Sequence, residues 1–126
     1  MRAAIGQDSH RFEEEYGKPL ILGGVLFPEE RGLSANSDGD VVLHAITNAV
    51  SGSTRRNVLG TVADEMCRSG ITNSAEYLRE ALRSLEGSVS HLSVSIECAH
   101  PKISPMIPAM RESIADSAKP KIHVVP

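Results

Sequence analysis

The 126 residues are enough for one domain with a core and hardly enough for two. A composition of 40% hydrophobic and 23% charged residues suits a soluble globular protein, and a net charge of −3 lacks the basic excess of a nucleic-acid or acidic-membrane surface. Any phosphate-bearing ligand must then be held locally, by backbone N–H groups, a metal, or one or two lysines. No stretch has the length of a membrane span. One arginine and no apolar run precede Gln7 and Asp8, so no secretory signal is read, and Cys67 and Cys98 lack C-x-x-C spacing. The expected setting is a reducing cytoplasm.

In chain order, Arg2–Gly6 reads as a first strand leading into Asp8-Ser9-His10. Leu20–Leu22 and Val25–Phe27 read as two short strands around the Gly23-Gly24 turn. A polar loop follows, then a helix from Asp40 to about Val50, with Ser37 or Asp38 available as N-cap. On it Val42, Ile46 and Ala49 form an apolar stripe, with Asp40 and His44 on a neighbouring face. Asn73 or Ser74 can cap a second helix carrying Leu78, Ala81, Leu82 and Leu85 at helical spacing, stopped by Gly87. Leu92–Cys98 alternates as a half-buried strand does, and a third helix is expected from near Pro105 to Asp116. The last eight residues, 119–126, read as the beginning of one more strand with nothing to complete it. The fold class is α+β: a mixed β-sheet with helices packed on one face and a truncated C-terminal strand region.

Three residues carry the chemistry. Side chains two apart in an extended segment share a face, so Asp8 and His10 can converge. His44, in a helix opened by Ser37-Asp38-Gly39-Asp40, can bring a second imidazole to the same point. One carboxylate and two imidazoles leave a tetrahedral zinc with an open position for a water or a phosphate oxygen. The bland alternative is that D-x-H is a common accident. His91, His100 and His123 have no matching neighbour and read as loop histidines. The S-D-G-D segment is open to two readings, a phosphate site at a helix N-terminus or a plain capping loop. Asp40 likewise either orients His44 as a hydrogen-bond acceptor or complements the helix dipole.

The order DSH, ILGGV, ANSDGDVVLH and PKISPMIPAMR resembles the 2-C-methyl-D-erythritol 2,4-cyclodiphosphate synthase family of the non-mevalonate isoprenoid pathway, over residues from Arg2 to about Asp116. The resemblance implies that Asp8, His10 and His44 are zinc ligands that also face the substrate. It places Asn36 and Ser37 on the substrate's phosphates, Asn36 at the position proposed as catalytic. Lys102, in Pro101-Lys102-Ile103-Ser104-Pro105, falls in the loop that receives the cytidine nucleotide. The implied reaction is a lyase step. The 2-phosphate of 4-diphosphocytidyl-2-C-methyl-D-erythritol 2-phosphate attacks the β-phosphate, the cyclic diphosphate forms, and CMP leaves. Zinc polarises the β-phosphate, magnesium bridges the phosphates, and the enzyme is a cytoplasmic bacterial homotrimer with sites between adjacent subunits.

The chain departs from that pattern in four places. Asn36 stands where the family commonly has histidine; an amide donates a hydrogen bond but cannot become cationic. The family's G-D-I-G is Asn57-Val58-Leu59-Gly60, which keeps Gly60 but puts valine where an aspartate holds the sugar hydroxyl. Of F-P-D-T-D, only Asp64 matches. The K-A-T-T-x-E stretch and glycine-rich end, with the magnesium glutamate and the threonine donors, are not among these residues. The expectation is one cyclodiphosphate-synthase-like domain over 1–126 lacking the family's C-terminal segment. The second reading is a non-catalytic zinc-binding remnant that keeps the fold and the metal triad; separately, very low synthase activity is expected of these 126 residues.

Overall fold

A computed structural model describes residues 1–119 and 121. Two short strands, β1 (Leu20–Leu22) and β2 (Val25–Phe27), form an antiparallel hairpin in the register Leu20 to Phe27 and Leu22 to Val25. Four helices follow: α1 (Val41–Thr54), α2 (Thr61–Arg68), α3 (Ser74–Leu82) and α4 (Ile107–Ser117), the last entered through a 3-10 turn at Ser104–Met106. The class is α+β, with a sheet of two strands among the described residues. No helix of the described residues is long and apolar enough to cross a membrane.

The hairpin forms because both central residues of its turn take left-handed backbone, Gly23 at φ 60° and Gly24 at φ 77°. That twist matches paired strands, and glycine adopts it without strain. Neither glycine has room for a side chain either. A Cβ on Gly23 would stand 3.0 Å from the Met110 side chain, and one on Gly24 would stand 2.3 Å from the Ser113 hydroxyl. The turn is thus seated against α4.

Helix α1 presents Val42, Leu43, Ile46 and Val50 to the core, where α3 contributes Ala75, Leu78, Ala81 and Leu82. These two helices make the most extensive packing in the molecule, joined by Leu20, Leu22 and Phe27 from the hairpin and Met110 and Ile114 from α4. Each such side chain, fully buried, contributes about 1.5–3 kcal/mol before ordering costs. Asn73 caps α3, its side chain accepting from the Ala75 N–H at 3.0 Å. The helix expected from near Pro105 is α4, which begins at Ile107 with Pro108 in its first turn where no N–H is needed.

Two expected strands do not survive. Arg2–Gly6 and Leu92–Cys98 are not strands. Alternating apolar residues suit a sheet face, but a strand exists only where its N–H and C=O groups are paired, and no sheet pairing to either segment appears among the described residues. Arg2–Gly6 instead brings Gly6 onto α1, so close that a Cβ there would lie 2.0 Å from the Ala45 carbonyl oxygen. Thr61–Arg68 is a helix that the sequence reading did not assign, although Val62, Ala63 and Met66 stand at helical spacing and pack against the core. Of the residues expected to start a last strand, Pro120 and 122–126, with His123 among them, lie outside the described residues.

The N-cap of α1 is Asp40, not Ser37 or Asp38. Its carboxylate is fully buried and accepts three backbone N–H groups: Gly23 at 2.8 Å, Gly24 at 2.7 Å and Leu43 at 3.1 Å. One side chain therefore ties the hairpin turn to the start of α1. Burial outweighs those bonds and pushes the Asp40 pKa up from 3.8 to about 6. A raised folded-state value means that this group's contribution is fully present below the unfolded value and is lost as pH rises through the folded one. Comparing urea unfolding of the parent with Asp40→Asn between pH 4 and 7 should show the parent losing relative stability with rising pH, on the order of 2–3 kcal/mol. Asp40→Ala, which leaves the buried Gly23 N–H without an acceptor, should cost about 2–4 kcal/mol at any pH in that range.

Candidate metal centre and substrate cavity

Three stretches of chain meet at one point. The segment after Gly6 runs along α1, held by the Asn48 side chain, whose amide donates to the Gln7 carbonyl at 3.2 Å. Beyond His10 the chain pairs with the loop before α1, through Glu13 N–H to Gly32 O at 2.8 Å and Ser34 N–H to Arg11 O at 2.7 Å. Asp8 and His10, two apart, are thereby pinned at both ends and turned to the same side.

Their side chains meet His44 of α1. Asp8 Oδ2 lies 2.8 Å from His10 Nε2 and 3.1 Å from His44 Nδ1, and the two histidine nitrogens are 3.2 Å apart. A tetrahedral ion with oxygen and nitrogen ligands at about 2.0–2.1 Å holds those ligand atoms about 3.3 Å apart. The trio fits such an ion after opening by a few tenths of an ångström. It is a group of ligand-bearing side chains gathered closely enough to hold a metal. Access is graded: the side chains of His10 and Asp8 are 21% and 23% exposed, that of His44 only 8%. Burial pushes the His44 pKa below its ordinary value, with the Asp8 carboxylate opposing. The imidazole is therefore neutral, as a metal ligand must be, at neutral pH.

The trio opens onto a cavity of about 370 Å³. Asn36, Ser37, Gly60 and Asp64 line it beside Asp8, His10 and His44, so residues from four parts of the sequence surround one space. Lys102 does not line it; it is exposed on the loop before α4. Val58 is fully buried in the hydrophobic cluster, so no side chain at that position reaches the cavity from this backbone. Cys67 and Tyr77 line the cavity without having been singled out from sequence. The Tyr77 hydroxyl donates to the Ile71 carbonyl at 2.6 Å, and its ring backs that of His44 with centroids 6.3 Å apart.

Asp40 does not orient His44, since its carboxylate is taken up by the three N–H groups described above. The partner of the His44 ring comes from α3: Nε2 lies 2.8 Å from the Ser74 hydroxyl. Nothing in the sequence marks a serine 30 residues away as that partner; it reads as a helix cap.

Comparison with known proteins places the chain in a family. Residues 1–125 match the YgbB family. The 2-C-methyl-D-erythritol 2,4-cyclodiphosphate synthase of Chlamydia trachomatis serovar L2b is 52% identical over 119 residues, covering 91% of this chain and 67% of that protein. The synthase of Chlamydia caviae is 52% identical over 120 residues, covering 92% of this chain and 68% of its own. Among solved structures, a 2C-methyl-D-erythritol-2,4-cyclodiphosphate synthase in a CDP-bound form superposes with a TM-score of 0.69 at 30% identity, over 94% of this chain and 80% of that one. The Plasmodium falciparum IspF–CDP complex does so with 0.66 at 25% identity, over 93% and 72%. This chain belongs to the YgbB family, that of the 2-C-methyl-D-erythritol 2,4-cyclodiphosphate synthases.

Proposed function

We propose that the chain converts 4-diphosphocytidyl-2-C-methyl-D-erythritol 2-phosphate to 2-C-methyl-D-erythritol 2,4-cyclodiphosphate and CMP. The observation that carries this is the convergence of Asp8, His10 and His44 within 3.2 Å of one another at the wall of a cavity shared with Asn36 and Ser37. An oxygen of the 2-phosphate attacks the β-phosphorus, and the bond from that phosphorus to the CMP oxygen breaks. The nucleophile is already an anion, so no side chain has to remove a proton. What remains for the protein is to fold the substrate back on itself and to offset charge.

Asp8, His10 and His44 hold a divalent ion, zinc on the chemistry of the donor set. Bound there, it supplies Lewis acidity to a phosphate oxygen, while magnesium accompanies the substrate's diphosphate. The Ser37 hydroxyl and the Asn36 amide, at the mouth beside the trio, donate to phosphate oxygens. Gly60 leaves room for the methylerythritol carbons, and Asp64 offers an acceptor to a hydroxyl. The exposed Lys102, away from its own cavity, acts as a point charge on the nucleotide in the site of a neighbouring copy. A homotrimer with sites between subunits satisfies that geometry.

Elemental analysis of the purified protein should find about one zinc per chain, falling sharply in His10→Ala and in His44→Ala. Unchanged zinc in both variants would remove the metal assignment. CMP release from the substrate, with zinc and magnesium supplied, tests turnover. Ser37→Ala should lower kcat by about 10²-fold, the loss typical of one donor to transition-state charge. The alternative, a zinc-binding remnant of the family, is recognised by stoichiometric zinc with no CMP released. Lys102→Ala should weaken CDP binding severalfold by calorimetry, and light scattering should give three times the chain mass. A monomer that still binds CDP through Lys102 would contradict the shared-site arrangement.

A further inference from the structure

One polar chain beside the trio has a direction. The Asp38 carboxylate accepts from the Ser74 backbone N–H at 3.0 Å and from the Ser74 hydroxyl through its other oxygen. A carboxylate is an acceptor only, so the hydroxyl proton of Ser74 is committed to Asp38. The hydroxyl then faces the His44 ring with its lone pairs, 2.8 Å from Nε2. Only a proton on Nε2 makes that contact a hydrogen bond, and a neutral imidazole protonated there has its bare lone pair on Nδ1. Nδ1 is the atom that looks at Asp8 Oδ2 and His10 Nε2.

The network is well enclosed. Ser74 is fully buried, and its backbone is the first residue of α3, held by the Asn73 cap. Asp38 is fixed in turn, since its own N–H donates to the Thr72 carbonyl at 2.9 Å and its carboxylate also accepts from the Asp40 N–H at 3.0 Å. The Ser37 hydroxyl stands 3.5 Å from the same histidine nitrogen, too far to compete with Ser74, and it remains available to the cavity. With the Nε2 proton so placed, the 3.1 Å contact between Nδ1 and Asp8 Oδ2 sets two acceptors against each other. A cation between them turns that repulsion into two bonds.

We propose that Ser74 is a positioning residue for the metal ligand His44: its hydroxyl, aimed by Asp38, holds the Nε2 proton and so commits the Nδ1 lone pair to the ion shared with Asp8 and His10. This rests on the metal reading above and adds to it a residue from α3 that carries no ligand atom. Removing such a hydrogen-bond partner typically costs 10–100-fold in metal affinity.

The test has two readouts, neither of them activity. Zinc affinity is measured by competition with a chromophoric chelator for the parent, Ser74→Ala and Ser74→Thr. The tautomer of His44 is read from the imidazole nitrogen shifts of the metal-free, nitrogen-15-labelled parent and Ser74→Ala proteins. The parent should show the Nε2-protonated ring, and Ser74→Ala a mixture of tautomers with zinc bound about 10–100-fold more weakly at unchanged helical content. Ser74→Thr, which keeps the hydroxyl, should recover most of the affinity. A parent that binds zinc tightly while Ser74→Ala matches it in affinity and tautomer overturns the inference alone. A parent that leaves zinc unbound overturns the metal reading and this inference with it.

Discussion

The buried carboxylate of Asp40 is the joint on which the rest of the site hangs. It binds the N–H groups of both turn glycines and caps α1 with the same two oxygens. The hairpin turn is in turn pressed on Met110 and Ser113 of α4. The hairpin and α1 thus share one buried polar contact, and α4 packs against the turn that it fixes. Such a contact is costly to bury and unforgiving of partial loss, so it specifies the arrangement more than it stabilises it. What it specifies is the direction of α1, and with it where His44 points.

The neighbouring residues of S-D-G-D extend the same logic. Gly39 takes φ 77° and passes so close to Leu33 that a Cβ would stand 2.9 Å from that carbonyl oxygen. This tight passage lets Asp38 and Asp40, two apart, serve different elements: Asp38 reaches α3 and Asp40 reaches the hairpin. The segment is neither a bare capping loop nor a bare phosphate cradle. It is a connector that caps one helix with one aspartate and, through the other, binds Ser74 of α3, the hydrogen-bond partner of His44.

Much of this was legible in the residues and some was not. The hairpin is encoded locally, as two apolar triplets around a glycine pair, and it forms with those boundaries. Helices α1 and α3 announced themselves through apolar spacing, α3 also through its Asn73 cap, and the Asp8–His10 pair through the period of an extended chain. Leu92–Cys98 misled because alternation describes a face, and Arg2–Gly6 because a short apolar run suggests a strand; neither says anything of the partner a strand requires. Helix α2 escaped notice because it is short, eight residues, and its apolar face of Val62, Ala63 and Met66 spans only about two turns. The role given to Asp40 followed from its sitting one turn before His44. Helical spacing measures proximity along one element, whereas the ring's actual partner arrives across the α1–α3 interface, the largest in the molecule.

Four aspartates surround the site, and their fates differ in a way that bears on the chemistry. Asp40 is consumed by backbone N–H groups, and Asp38 by Ser74 and the Asp40 N–H. Asp8 is shared between two histidines, and Asp64 stands exposed at the cavity wall. Two of the four are thus occupied by folding, one is set between two imidazoles, and one faces solvent. No carboxylate is left buried beside His44 in the posture of a general base. A reaction whose nucleophile is a phosphate oxygen has no proton to give up and calls for none. The site's acidic residues are largely spent on placing helices and histidines, which suits a positional mechanism of phosphoryl transfer.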